Sequence, residues 1–256
     1  MSHSTAGSDS AGRADQGVPF DLLVRHGTVI DGTRSPRFDA DLGVRDARIV
    51  FVGTVDEASA QAARSCIEAR GRIVAPGFID CHTHDDTALL TDPQMTPKVS
   101  QGVTTVVTGN CGISIAPVPH GLPKPTPAPL DLLDASGGGA FVYRSFAAYL
   151  DALRASPPAI NTAALVGHTT LRAATMSALD RPANAQEIAE MRELLEQSLA
   201  AGAIGASSGL FYEPAAAAPT EEVIAVFEPM RRLGGIYCAH MRDESEHIVE
   251  SIDETL

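Results

Sequence analysis

Positive charge is scarce in this chain. Lysine and arginine total 19 against 32 aspartates and glutamates, a formal net charge of −13. A surface of that sign repels phosphate backbones and anionic headgroups, which argues against nucleic acid or an anionic membrane as the main partner. Cysteine is sparse too: Cys66, Cys81, Cys111 and Cys238 stand far apart, with no Cys-x-x-Cys pair. In a chain of this length, that spacing speaks against a disulfide framework and for reduced thiols in a cytoplasmic protein. No apolar run approaches the roughly 18–20 residues that a membrane span requires. The first 18 residues are rich in Ser, Gly, Ala and Asp and lack an apolar h-region. They are expected to be a disordered tail and not a secretory signal.

What is present suits a folded soluble chain, with 44% hydrophobic and 20% charged residues in 256. Residues 19–74 read as all-β. Asp21 to Arg25 and Thr28 to Ile30 are two short strand-like pieces that end at the turn pair Asp31-Gly32. Asp41 to Val44 and Arg48 to Gly53 flank a tight hairpin at Arg45-Asp46-Ala47, and strand-like pieces at 66–69 and 73–74 follow. From residue 75 onward, apolar strand segments alternate with helical patterns, the signature of βα units on a parallel sheet. Strands are expected at 78–81, 104–108, 163–166, 204–206 and 236–239, the fourth followed by a turn at Ser207-Ser208-Gly209. Between them, Ile188, Met191, Leu194, Leu195 and Leu199 recur at helical spacing, with Asn184 to cap the helix and Gly202 to end it. Residues 117–139 are Pro/Gly-rich and read as an extended loop.

The pattern that carries chemistry is Gly77-Phe78-Ile79-Asp80-Cys81-His82-Thr83-His84-Asp85-Asp86. Side chains at i and i+2 of a strand share a face, so His82 and His84 project together, a half-site for a divalent ion such as zinc. This run resembles the first barrel strand of the amidohydrolase superfamily, metal-dependent hydrolases built on a (β/α)8 barrel. The region 98–114, with Thr108-Gly109-Asn110-Cys111-Gly112 near its end, is similar to the second-strand region of the N-acyl-D-amino-acid deacylases, or D-aminoacylases. Gly167-His168-Thr169-Thr170-Leu171-Arg172, Gly205-Ala206-Ser207-Ser208-Gly209-Leu210 and Tyr237-Cys238-Ala239-His240-Met241-Arg242-Asp243-Glu244 extend the resemblance to nearly everything after residue 20.

The resemblance implies a small β-sandwich subdomain at 19–74 and the N-terminal part of a metal-dependent hydrolase barrel at 75–256. It implies zinc at His82, His84, Cys111 and His240, with Cys111 and His240 in one tight site and the histidine pair facing it as a weaker one. The thiolate suits zinc by softness. The expected reaction is attack of zinc-activated water on the amide of an N-acyl-D-amino acid, a small-molecule substrate. His168, Arg242 and Asp243 are candidates for contacts to substrate or to the metal ligands. Five strands fall short of the eight that close a barrel. The family's catalytic aspartate belongs to a later strand, and none of Asp80, Asp85, Asp86 and Asp243 is placed by the sequence to replace it. Three expectations follow from that count. The chain is an N-acyl-D-amino-acid deacylase with impaired activity, or a non-catalytic truncated or split fragment that a complementing chain or a homo-oligomer completes, or an amidohydrolase acting on another linear or cyclic amide.

Overall fold

A computed structural model describes residues 18–122, 124–134 and 141–256. The expected tail, up to residue 17, and part of the Pro/Gly-rich loop lie outside the described residues. The chain divides into two compact units, one ending at Pro76 and the other beginning at Gly77.

The first unit is a single sheet built on β1 (Leu22–Val29). It pairs antiparallel with β2 (Phe38–Arg45), which pairs with β3 (Arg48–Gly53); after α1 (Glu57–Ala62), β4 (Cys66–Glu68) and β5 (Ile73–Val74) pair with β1 in parallel. Asp46 and Ala47 both take positive φ, 49° and 58°, which is the turn geometry that matches strand twist in a two-residue hairpin. The two strand pieces expected at 21–30 are one strand. His26, at φ 57°, makes a bulge between Val24 and Gly27 and donates its backbone N–H to Asp41 Oδ1 at 2.7 Å. Gly43 is required because an added Cβ would lie 2.3 Å from the Phe20 ring. Phe20, Leu23, Val55 and Ala60 form the core beneath it. The helix α1 carries no apolar periodicity. Its sequence signal is Asp56, whose carboxylate accepts from Ser59 N at 2.8 Å as an N-cap. The described residues of this unit hold one sheet.

The second unit alternates strand and helix. In order it contains β6 (Phe78–Asp80), α2 (Ala88–Thr91), α3 (Thr96–Val99), β7 (Val103–Thr108), a 3-10 turn (Leu130–Asp134), α4 (Phe146–Ala155) and β8 (Asn161–Gly167). There follow α5 (His168–Thr175), α6 (Ala185–Ala201), β9 (Gly205–Gly209), α7 (Glu213–Ala216), α8 (Thr220–Leu233), β10 (Ile236–His240) and α9 (Ile248–Thr255). The five strands form a curled parallel half-barrel in the order β10-β9-β8-β7-β6. Val106, Ala164, Val166 and Ala206 are buried with Met191 and Leu195 of α6 and Val226 of α8 in one core.

The helix α6 starts in a capping box, with the Asn184 side chain accepting from Glu187 N and the Glu187 side chain from Asn184 N. It ends at Gly202, φ 121°. Ser207 to Gly209, expected as a turn, belong to β9. Small buried side chains let that strand run on against its neighbours. In its described part the Pro/Gly-rich segment runs without strand or α-helix into the 3-10 turn, and it buries Val118, Leu130 and Leu133. Among the described residues both edge strands lack an outer neighbour, and Phe78 (66%), Ile79 (64%) and Ile236 (56%) stand exposed there.

Candidate metal centre

At the C-terminal end of β7 the chain turns through Gly109 (φ 75°), Cys111 (φ 53°) and Gly112 (φ 75°). A Cβ on Gly109 would lie 2.1 Å from Leu165 O and one on Gly112 2.7 Å from Gly209 N, so this turn packs backbone on backbone against β8 and β9. Cys111 is the exception, a side-chain-bearing residue held in the left-handed region. Its turn is fixed by neighbours: Asn110 Nδ2 donates to Val107 O at 2.9 Å, Gly112 N to Ser207 Oγ at 2.9 Å, and Thr170 N to Gly112 O at 3.2 Å.

The result is a thiol pointed at the histidine pair. Cys111 Sγ lies 3.1 Å from His82 Nε2, and the ligand atoms of His82, His84 and Cys111 all fall within 4.8 Å of one another. Burial pushes the Cys111 thiol up, helped by the charge of Glu244. Burial also pulls His84 down, and the nearby His82 and His240 rings disfavour its charged form further. A neutral imidazole is the form that binds metal.

The histidine pair is buttressed from outside. Lys98 Nζ reaches Asp80 Oδ2 at 2.6 Å and Asp85 Oδ2 at 3.0 Å, so one ammonium clamps the carboxylates on either side of His82 and His84. The bond from Lys98 holds Asp80 below the usual carboxylate range. Asp86 turns inward, 1% exposed, and accepts from Gly109 N at 3.4 Å beneath the cysteine turn. Burial raises its carboxyl to about 7.

His240, the last residue of β10, stands outside the three-residue group. Its Nδ1 meets Tyr212 OH at 3.3 Å, and the Phe211 and Tyr212 rings pack on its imidazole with centroids at 5.4 and 4.8 Å. Its Nε2 is buried without a hydrogen-bond partner, and the nearest acid, Glu244 Oε1, is 3.6 Å away. Two imidazoles and one thiol within 4.8 Å of one another form a donor set that fits a borderline-soft divalent ion, and the His240 ring nitrogen stands unpartnered beside it.

The other sequence candidates are bonded to groups outside the three-residue cluster. His168 is fully buried, with Nε2 3.3 Å from Glu222 Oε1 and its ring edge-on to Phe227. Arg242 pairs with Glu254 at 2.7 Å, and the Asp243 carboxylate accepts from Ser245 and His247 N–H groups in its own loop. Sequence reasoning missed Tyr212 and Lys98. The aromatic pair Phe211-Tyr212 just past a strand end was the available signal for the first; a lone lysine gives none for the second.

The curled parallel half-barrel and the His/Cys cluster at its strand ends are what the family comparison matches: the chain belongs to the Amidohydrolase family, whose profile fits residues 65–252. It is 58% identical over 237 residues to a D-aminoacylase of Alcaligenes xylosoxydans xylosoxydans, covering 93% of this chain and 47% of the relative. A crystal structure of D-aminoacylase superimposes with a TM-score of 0.86 at 57% identity, over 93% of this chain and 48% of that one. N-acyl-D-glutamate deacylase from Bordetella bronchiseptica, solved with zinc and a phosphonate mimic of the tetrahedral intermediate, gives a TM-score of 0.86 at 42% identity, again over 93% and 48%. The chain spans about half the length of these relatives. No helix among the described residues is long and apolar enough to cross a membrane.

Proposed function

We propose that this chain carries the zinc-binding half of a hydrolase site that cleaves N-acyl-D-amino acids to a carboxylate and a free D-amino acid. The observation that supports it most directly is the 3.1 Å approach of Cys111 Sγ to His82 Nε2, with His84 alongside, at the C-terminal ends of β6 and β7. His82, His84, Cys111 and His240 hold the ion in this reading. Zinc, when bound, supplies a Lewis acid for the amide carbonyl and lowers the pKa of its water towards about 7.

The chain's own groups set the rest. Tyr212 and Phe211 pack their rings against His240 at the mouth. Four of the nearby carboxylates are not free to shuttle a proton to the leaving amine, while Glu244 lies 3.6 Å from His240 Nε2. Asp80 and Asp85 are held by Lys98, Asp86 is buried under the cysteine turn, and Asp243 closes its own loop. This reading assigns the general base to barrel strands other than β6 to β10, as the resemblance to the deacylases implies. It also places the protein in the cytoplasm, where the Cys111 thiol stays reduced.

A second reading, a non-catalytic metal-binding fragment, is favoured by the exposed apolar edges. The two separate by deacylation of an N-acetyl-D-amino acid by the purified chain with added zinc, beside a Cys111→Ala control. Turnover that the substitution abolishes supports the hydrolase. Zinc bound through Cys111 without turnover supports the fragment, and zinc binding indifferent to Cys111 refutes both.

A further inference from the structure

The turn that carries Tyr212 is held by bonds from outside it as well as by its own. Its only regular element, α7, is four residues long, and the carbonyls of so short a helix find few partners within it. Ala215 N and Ala216 N both bond to Tyr212 O, at 2.9 and 2.8 Å, so wherever residues 214–218 go the Tyr212 backbone follows.

Two arginines supply the missing donors. Arg172 of α5, fully buried, donates Nε–H to Pro214 O at 2.8 Å while its other nitrogens bond Leu179 O, Arg181 O and the Glu222 carboxylate. Arg242 donates to Ala216 O and Ala218 O, both at 2.9 Å, and is itself held by Glu254 at 2.7–3.2 Å. Each guanidinium thus spans several acceptors at once, as a planar fork of five N–H groups can and an ammonium cannot. Arg242 also stands two residues beyond His240 on the same chain segment, and Leu210 N bonds His240 O at 3.2 Å. The clamp therefore ties the Tyr212 turn directly to the strand end that bears His240.

We infer that Arg242 and Arg172 are positioning residues that hold the Tyr212 phenol against His240 Nδ1 and so keep Nε2 free and aimed for a metal ion. Metal at Nε2 requires the proton on Nδ1, and the Tyr212 oxygen is the acceptor placed for it, 3.3 Å away. The two aromatic rings against the imidazole fix its plane. Partners of this kind on a ligand's second nitrogen typically govern metal affinity by about 10–100-fold. The inference rests on His240 being a metal ligand.

The test is zinc affinity of the full chain by competition with a chromophoric chelator, with the folded fraction of each variant followed by circular dichroism. Tyr212→Phe and Arg242→Lys are each expected to weaken zinc binding about tenfold with the folded fraction unchanged. Their double variant should be no weaker than the weaker single one, because both act through one imidazole. Arg172→Lys should shift affinity in the same direction; if its burial makes that variant unfold, the Arg242 series decides. Affinities equal to the parent chain's in Tyr212→Phe and Arg242→Lys, or losses that simply add in the double variant, would overturn the inference. His240→Ala separates the two levels. If it leaves zinc affinity unchanged, the ligand reading falls and takes this inference with it. If it weakens binding strongly while Tyr212→Phe and Arg242→Lys do not, the inference alone fails.

Discussion

Replacing Glu222 by glutamine should destabilise the protein by about 3 kcal/mol at neutral pH. Glu222 is 2% exposed, and its oxygens meet the Arg172 guanidinium, His168 Nε2 at 3.3 Å and Ala183 N at 2.7 Å. Burial alone would raise its carboxyl, but the bonds from His168, Ala183 and Arg172 outweigh that and hold it at about 2. Against an unfolded value of 4.5, the difference of about 2.5 units corresponds to roughly 3 kcal/mol at about 1.4 kcal/mol per unit. Removing one partner of a buried ion pair typically costs about 3–5 kcal/mol. The lower end applies here, because Arg172 keeps three carbonyl acceptors after the substitution. A carboxylate held below its unfolded pKa stabilises above that pKa and loses the contribution as pH falls towards its folded value. Urea unfolding of the parent chain and Glu222→Gln should therefore differ by about 3 kcal/mol at pH 7 and converge between pH 4.5 and 2. A difference under 1 kcal/mol at pH 7, or one that does not shrink on acidification, would refute the reasoning.

Two further outcomes concern the cysteine turn. Because Cys111 pays for its positive φ of 53°, Cys111→Gly should raise the zinc-free unfolding free energy by about 1 kcal/mol while abolishing tight zinc binding, which thermal unfolding with and without a chelator will read. Because burial pushes the Cys111 thiol up, zinc must displace a proton from it. Zinc affinity should then rise by up to about tenfold per pH unit through the neutral range, and proton release should be visible as a buffer-dependent heat in calorimetry.

The barrel half of the molecule was legible in sequence because its signals are local. The helix at 185–201 announces itself by apolar spacing and by Asn184 and Gly202, and the strands by short apolar runs that alternate with helical patterns. The two-residue strand period singled out the right pair, although β6 ends at Asp80 and His82 and His84 lie just past it. What could not be read depends on contacts between distant segments. Tyr212 matters through His240, Lys98 through the carboxylates flanking the histidine pair, and Arg172 through carbonyls of two later loops. The bulge at His26 escaped for a related reason: Asp41, a strand away, supplies the bond that stabilises it. The packing of residues 117–134 escaped because proline and glycine content signals irregular backbone and says nothing about burial.

The order of the parallel sheet has a consequence for assembly in time. Each strand from β6 to β10 lies beside the one made just before it, so no strand has to thread between two already in place. On a ribosome the sheet can lengthen at one edge as the polypeptide emerges. His82, His84 and Cys111 follow the first two strands to appear and His240 ends the last of the five, while the cysteine turn gains its bonds from Thr170 and Ser207 only once α5 and β9 are made. A nascent chain that has made only β6 and β7 already holds three of the four groups assigned to the ion.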